Sequence, residues 1–362
     1  MRLSPVALLF ALSGFAPLFA QSTAAPASSA AVQPDAAELA TVVVSGAMPG
    51  PGMWKVSRGN HVMWVLGTLS PLPRNMQWQS RDVAQVISKS QQVLLSPSIK
   101  LKVNAGFFGK LFLLPSAYSA RKNDNGETLQ QILPAPLYAR WEVLKQKYLG
   151  NGDAVERWRP IFAAEELHNK AIKANGLSKS GEINATVEAL AKQYGVEQTA
   201  VKYQVVIEQP RAAIRTFKSS GLGSVACFSH TLDSIEQDMP AIKARANAWA
   251  TGDMQALRQL PDSDRHDACV SEVTSADFAH QLGLNDIPDR LKAVWLAAAR
   301  AALNRNTQTF AMLPMRELLL PTGYLAQLKA QGYAVESPEE QEADPATDSS
   351  TSAPANAGSS PE

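Results

Sequence analysis

Residues 53–75 read MWKVSRGNHVMWVLGTLSPLPRN, and this stretch decides the fold that the sequence predicts. Residues 54–57 and 62–66 are rich in aromatic and β-branched side chains, which are typical of strands, and residues 58–60 between them are typical of a turn. The second strand ends in the text GTLS at residues 67–70, where a glycine lets the backbone turn tightly. Because open α/β sheets bind ligands at the carboxyl edge of their strands, we expect a binding cleft here.

The rest of the chain alternates between strand and helix patterns. Further strands are predicted at residues 92–95, 202–207, 308–313 and 333–335, and the main helices at residues 80–90, 136–148, 187–194, 225–250, 291–304 and 322–330. Residues 99–114 are apolar but fit neither period, so they receive no assignment. Pro240 is expected to kink or split the longest helix. These elements predict a mixed α/β fold, with a central β-sheet built from both ends of the chain, flanking helices and a helical insert.

The composition is that of a soluble globular domain with two atypical ends. The chain has 362 residues, 45% of them hydrophobic and 19% charged, and its formal net charge of +1 gives no reason to expect a nucleic-acid partner. Residues 1–20 have the layout of a signal peptide, with a single membrane helix as the alternative. Residues 21–52 are expected to be a flexible leader and residues 337–362 a disordered acidic tail. The domain then covers residues 53–336 of a periplasmic or secreted protein with no transmembrane helix after signal removal.

Several short patterns carry a resemblance to a known family. The hairpin contains W-x-V-x-x-G-x-H, followed by V-L-G-T and P-L-P. Later come A-N-A-W-A-T-G-D-M-Q-A-L, the pair R-N at residues 305–306 and G-Y-A-V-E near the end of the domain. Over residues 53–336 the chain resembles the TraB/GumN family, which is related to the Tiki metalloproteases. The resemblance implies a metal-dependent hydrolase with two G-x-x-H motifs and nearby acidic residues.

The chain departs from that family pattern where the chemistry is expected. Ser70 stands where the first motif has its His, and Ser96 stands where a strand of the family ends in Glu. In the second motif, Pro314 replaces the Gly and Glu317 replaces the His. Two hydroxyls in place of an imidazole and a carboxylate remove a metal ligand and a base together, so an intact metal site of the family type is not expected.

The resemblance still supplies candidate site residues. Glu208, Arg305, Asn306 and Glu317 are the candidates for catalysis, since Glu208 and the Arg–Asn pair match family positions. Glu208 has an alternative role as a cap of the helix that begins at Pro210. The predicted binding cleft, at the position of the old active site, is lined by His61, Gly67, Thr68, Ser70 and Ser96.

The two cysteines allow two interpretations. Cys227 and His230, together with His266 and Cys269, form mirrored C-x-x-H and H-x-x-C pairs that on paper make a tetrahedral zinc set. The even cysteine count of an exported protein instead favours a disulfide between Cys227 and Cys269. Such a disulfide would contribute about 4 kcal/mol if its geometry is unstrained. Another histidine, His168, shows no partner pattern.

Three functional hypotheses follow. The first is an exported protein that has lost the metallohydrolase centre, needs no cofactor and binds a protein or peptide ligand at the cleft. The rival is a Tiki-type metal-dependent peptidase with a divalent cation and a rearranged site of Glu208, Glu317, His61 and Arg305. The third is an envelope-assembly protein that acts through its leader and tail.

Overall fold

The computed structural model describes residues 48–78, 81–179, 182–219, 225–261, 265–266 and 286–343. The predicted hairpin is present: β1 (Trp54–Arg58) and β2 (His61–Thr68) pair in antiparallel register. Gly59 lies in the turn with a φ of +59°, a backbone conformation that favours glycine. The second strand extends beyond the predicted bounds at both ends, from His61 to Thr68.

The central sheet has six strands in the order β10, β1, β2, β9, β4, β7. The four strands not yet placed are β4 (Gln92–Leu94), β7 (Glu197–Thr199), β9 (Gln308–Pro314) and β10 (Ala334–Glu336). Strands β2, β9, β4 and β7 are parallel, while β1 runs antiparallel to both of its neighbours. The predicted fold class, with a sheet built from both ends of the chain, is confirmed.

Two small sheets lie outside the central one. Strand β3 (Leu72–Pro73) pairs with β6 (Leu177–Ser178), and β5 (Ser98–Val103) pairs with β8 (Lys202–Ile207) in parallel register. Strand β8 has the predicted bounds, but its partner is β5, which after Ser98 lies in the stretch that has no sequence-based assignment. The short β7, which the sequence patterns did not indicate, forms the edge of the central sheet.

Helices cover the sheet and form the insert. They are α1 (Arg81–Lys89), α2 (Phe107–Ala120), α3 (Leu129–Ile132), α4 (Ala135–Tyr148), α5 (Pro160–Ala174), α6 (Glu182–Gln193), α7 (Pro210–Ser219), α8 (Val225–Asp233), α9 (Met239–Thr251), α10 (Met254–Gln259), α11 (Ile287–Arg305), α12 (Met315–Leu319), α13 (Tyr324–Ala330) and α14 (Pro338–Ala343). Among the described residues, no helix is both long enough and apolar enough to cross a membrane.

The core follows the helical period of the sequence. In α4 the buried residues are Leu137, Trp141 and Leu144, which is the predicted stripe. Trp141 is fully buried against Phe228 of α8, with ring centroids 5.3 Å apart. Such tilted aromatic pairs are typically worth about 1 kcal/mol beyond the area that they bury. The insert therefore has its own apolar contacts between α4 and α8.

Pro240 divides the longest helical stretch, as predicted. Between α8 and α9 the backbone makes a π-helical turn at Ser234–Asp238, and Pro240 lies in the first turn of α9. A proline has no backbone N–H and its ring clashes with the preceding turn, so it is tolerated in the first turn of a helix. The wider π turn places it there without ending the helical path.

The folded part is longer at both ends than the sequence predicted. Residues 48–52 were assigned to the leader, yet Trp78 Nε1 donates to the carbonyl of Pro49 (3.1 Å) and Gly50 N donates to the carbonyl of Ala250 (3.1 Å). Residues 338–343 were assigned to the tail, yet they form α14, and Gln341 Nε2 donates to the carbonyl of Met53 (2.9 Å). These contacts are non-local, so composition alone could not reveal them.

Candidate functional site

The parallel strands divide the predicted site residues between two edges of the central sheet. At the carboxyl edge lie Gly67 and Thr68 at the end of β2, Ser70 after β2, Ser96 after β4 and Glu317 after β9. At the amino edge lie His61, Arg305 and Asn306. His61 and Thr68 are the first and last residues of one strand, so roughly 23 Å separates the two edges.

Gly67 allows three elements to meet at the carboxyl edge. Trp249 of α9 is fully buried, and its Nε1 donates to the carbonyl of Gly67 at 2.7 Å. A Cβ added at Gly67 would overlap the side chain of Met315 and press against Leu318, both on α12. The missing side chain thus lets α12 and Trp249 pack directly on the end of β2.

The hydroxyl groups at this edge take part in hydrogen bonds with the protein. Thr68 Oγ1 donates to the carbonyl of Leu313 on β9 at 3.2 Å. Ser96 Oγ donates to Asn184 Oδ1 on α6 at 3.4 Å, and both of these residues are half-buried. Ser70 is exposed at the rim. Thr68 and Ser96 therefore connect neighbouring elements as hydrogen-bond donors.

Glu317 is a predicted site residue with a buried oxygen that accepts no hydrogen bond from the described residues. It is half-buried on α12, and its Oε2 is buried with no hydrogen-bond partner among the described residues. Tyr324 of α13 is 4% exposed, and burial together with the nearby charge of Glu317 raises the pKa of its hydroxyl to about 12. A partly desolvated carboxylate without a donor costs free energy, which a bound donor would recover.

The amino edge has a different character, because its polar groups bond to one another. Asn306 is 4% exposed, and its Nδ2 donates to Gln92 Oε1 (2.9 Å) and Thr309 Oγ1 (3.1 Å). Gln92 Nε2 in turn donates to Thr199 Oγ1 (2.6 Å) on β7. His61 Nδ1 lies 2.7 Å from the carbonyl of Asn306, which can only accept, so that nitrogen carries the hydrogen. The network ties β2, β9, β4 and β7 together.

The remaining catalytic candidates lie elsewhere. Arg305 is exposed, and its Nη2 is 3.5 Å from Glu197 Oε2 at the start of β7. Glu208 is exposed after β8 and accepts a hydrogen bond from Asn104 Nδ2 (2.6 Å), next to β5. The structure therefore does not bring Glu208, Arg305 and Glu317 together into one site.

The divalent metal that the resemblance implies does not fit the carboxyl edge. The predicted site residues at this edge offer only the hydroxyls of Thr68, Ser70 and Ser96 and the carboxylate of Glu317. Within the described part of the chain, no three His, Cys, Asp or Glu side chains converge as a metal site would require. Neutral hydroxyls are weak ligands for zinc or manganese, and two of them already donate within the protein.

Of the four residues in the cysteine and histidine pairs, Cys269 lies outside the described residues. Cys227 is 2% exposed on α8, while the side chain of His230 is half exposed and 4.0 Å from Asp233. His266 is 5% exposed and both of its ring nitrogens have protein partners. His266, one of the four predicted zinc ligands, therefore already uses both of its ring nitrogens within the protein. The disulfide stays a prediction.

A histidine pair that the sequence patterns did not indicate is buried in the helical insert. His168 of α5 stacks on His266 with ring centroids 3.9 Å apart. His266 Nε2 is 2.9 Å from Glu165 Oε2, and this hydrogen bond, opposed by burial, lowers the pKa of Glu165 to about 2. Thr231 Oγ1, which donates to the Cys227 carbonyl, is 3.2 Å from His266 Nδ1. The spacing of Glu165 and His168 on one helix face was a signal, but their partner lies far away in sequence.

Comparison with known families completes the picture of the site. The family model described as TraB/PrgY/gumN matches residues 52–337, which include both edges of the central sheet. Comparison with curated proteins and with solved structures gives no match. The matched range covers most of the chain and ends beside α14, so the chain belongs to the TraB/PrgY/gumN family.

Proposed function

We propose that this protein is an exported, non-hydrolytic member of the TraB/PrgY/gumN family that binds a protein or peptide at the carboxyl edge of its central sheet. The observation that carries the proposal is the set of groups at this edge. Glu317 offers one carboxylate, and Thr68, Ser70 and Ser96 offer hydroxyls. These groups are suited to hydrogen bonding, whereas metal-assisted hydrolysis needs several converging imidazoles and carboxylates.

The chemistry of Glu317 favours a ligand that donates hydrogen bonds. Its Oε2 is buried without a partner among the described residues, which typically costs about 1–3 kcal/mol. A backbone N–H of an extended peptide, or a Lys or Arg side chain, would donate to this carboxylate once the half-buried Glu317 side chain turns outward on binding. The half-buried Thr68 and Ser96, at the same edge of the sheet, offer further polar groups at the ends of β2 and β4.

The rival peptidase receives less support from the geometry. Its proposed residues include His61 and Arg305 at the amino edge, Glu317 at the carboxyl edge and Glu208 beside β5. General acid–base chemistry needs its groups within hydrogen-bond reach of one substrate atom. A hydrolase would therefore have to use Glu317 without the other three.

Export and the disulfide belong to the same proposal. The layout of residues 1–20 supports export, and the burial of Cys227 on α8 suits a structural cysteine. A free-thiol count on protein recovered from the periplasm should find no free thiol. Two free thiols would contradict this part of the proposal.

The binding proposal is tested with a displayed library of random peptides. Selected peptides are measured by fluorescence anisotropy against the native chain, Glu317→Gln and the exposed control Glu188→Gln on α6. We expect Glu317→Gln to weaken binding by about ten-fold or more, because a charge-assisted hydrogen bond is lost, and the control to bind normally. The bound peptide should stay intact with added Mn²⁺ or Zn²⁺. Metal-dependent cleavage, or selection of no peptide, would contradict the proposal.

A further inference from the structure

A segment beside the central sheet exposes an unusual amount of apolar surface. We call it the basic arm; it consists of residues 98–122, with β5 and α2, and residues 202–219, with β8 and α7. Eight large hydrophobic side chains are exposed among the described residues, and six of them lie in the arm: Ile99 (51%), Leu101 (58%), Leu111 (53%), Phe112 (70%), Leu114 (60%) and Tyr118 (61%). Their concentration in one segment points to an interaction surface.

Helix α2 carries this apolar surface on its solvent side. Leu111, Leu114 and Tyr118 follow one another at spacings of three and four residues, so they form a stripe on one face. Ala120 is buried on the opposite side, where α2 packs against α7. A surface helix of a soluble domain normally turns its apolar side chains to the core, whereas α2 leaves Leu111, Leu114 and Tyr118 uncovered.

The same segment is rich in positive charge. The two stretches of the arm contain nine Lys or Arg residues and one acidic residue, a formal charge of +8, although the whole chain has a net charge of +1. Along β5, Lys100 and Lys102 alternate with Ile99 and Leu101, so they lie on opposite faces of the strand. Lys100 and Lys102 also line an open concavity of about 510 Å³.

The arm is firmly connected to the rest of the fold. Arg159, just before α5, donates from Nε to the carbonyl of Lys122 (3.2 Å) and from Nη2 to the carbonyl of Lys218 (3.0 Å). Lys218 Nζ donates to Ser119 Oγ (2.7 Å), which joins α7 to the end of α2. The exposed apolar stripe is therefore presented by a packed unit.

We propose that the basic arm docks on the surface of a lipid bilayer that contains anionic lipids. The apolar stripe of α2 would enter the boundary between headgroups and acyl chains, while Lys100 and Lys102 approach the lipid phosphates. A second copy of this chain is the poorer partner, because two surfaces of +8 repel each other. The arm begins two residues after Ser96 but contains none of the groups proposed to bind a peptide, so different variants test the two proposals.

The apolar half is tested by vesicle co-sedimentation. The chain from Gln21 onward is mixed with phosphatidylglycerol vesicles and, separately, with phosphatidylcholine vesicles. The double variant Leu111→Asp/Leu114→Asp is compared with Val143→Asp, which alters an apolar side chain that is 68% exposed on α4, outside the arm. We expect binding to phosphatidylglycerol only, a loss of about ten-fold or more in the double variant, and no loss in the control. Circular dichroism checks that each variant is folded.

The electrostatic half uses a matched pair of charge variants. Lys100→Gln/Lys102→Gln should weaken binding to phosphatidylglycerol vesicles by about thirty-fold, while exposed Lys89→Gln/Lys329→Gln should change it little. Added salt should weaken vesicle binding of the native protein more than vesicle binding of the Lys100→Gln/Lys102→Gln variant. Absence of vesicle binding, equal binding by both pairs, or a lipid-free dimer that the α2 double variant dissociates would overturn the proposal.

Discussion

The two edges of the central sheet contain similar polar residues in opposite states. At the amino edge, Asn306 donates to Gln92 and Thr309, and the network connects four strands. At the carboxyl edge, Glu317 keeps a buried oxygen without a partner among the described residues. Satisfied polar groups stabilise a fold, whereas a buried unsatisfied group costs free energy that is recovered when its side chain turns toward a ligand that donates. The amino edge is therefore structural and the carboxyl edge is the candidate site.

The contrast also changes how the family resemblance is interpreted. The Arg305–Asn306 pair matches a family pattern and was a catalytic candidate, yet Asn306 is engaged in the strand network and Arg305 faces Glu197. Such a pair can match a family pattern because its hydrogen bonds stabilise the sheet. A matched motif therefore locates an element of the fold, and its contacts decide its role.

Substitutions at the two edges should differ most in their effect on the free energy of unfolding. Asn306→Ala should lower the free energy of unfolding by about 3 kcal/mol, because two buried hydrogen bonds are lost and Gln92 Oε1 loses its donor. Ser70→Ala, at the exposed rim, should change it by less than about 0.5 kcal/mol. Urea unfolding followed by tryptophan fluorescence measures both. Equal effects would remove the distinction between the edges.

A smaller effect of opposite sign is expected at Glu317. Glu317→Gln should raise the free energy of unfolding by about 1 kcal/mol, because an amide is less costly to desolvate than a carboxylate. The exposed control Glu188→Gln should be neutral. Destabilisation by Glu317→Gln would mean that the carboxylate has a stabilising partner and would make the carboxyl edge structural too.

The smallest effect is a change in tyrosine titration. Burial and the charge of Glu317 raise the pKa of Tyr324 from 10.0 to about 12. Since this folded-state pKa lies above the unfolded value, the stabilisation that it reports is complete below pH 10 and is lost as the pH rises toward 12.

Ultraviolet titration at high pH measures this pKa. Tyr138 also has a pKa of about 12, so the titration uses a Tyr138→Phe background. Glu317→Gln should lower the pKa of Tyr324, since a negative neighbour is removed. An unchanged pKa would show that the two side chains do not interact.

The sequence predicted elements whose signals are local. The stripe of Leu137, Trp141 and Leu144 needs only the helical period, and the hairpin needs only its own residues and its turn. The β5 and α2 segments gave no clear period, because Ile99, Leu101 and Phe112 are exposed where a globular domain buries such residues. The β5–β8 pairing joins residues about a hundred positions apart, which no local pattern specifies.

The candidate site was predictable in part. Gly67 and Thr68 end β2, while Ser70, Ser96 and Glu317 follow parallel strands, so the structure places these residues at one edge. His61 was predicted in the same cleft but lies at the opposite edge. The separation of His61 from Ser70 was implicit in the sequence, because the two residues flank a single strand. The stacking of His168 on His266 depends on the packing of the insert and was not accessible from either residue alone.

The central claim is that the carboxyl edge binds a partner without a catalytic metal. Its most direct test is the metal content, by mass spectrometry, of protein purified after export without chelator and then incubated with Mn²⁺ or Zn²⁺. The native chain and Glu317→Ala are measured side by side. The account predicts far less than one metal ion per chain at this edge, with no difference between the two proteins. Near-stoichiometric metal that is lost in Glu317→Ala would contradict it.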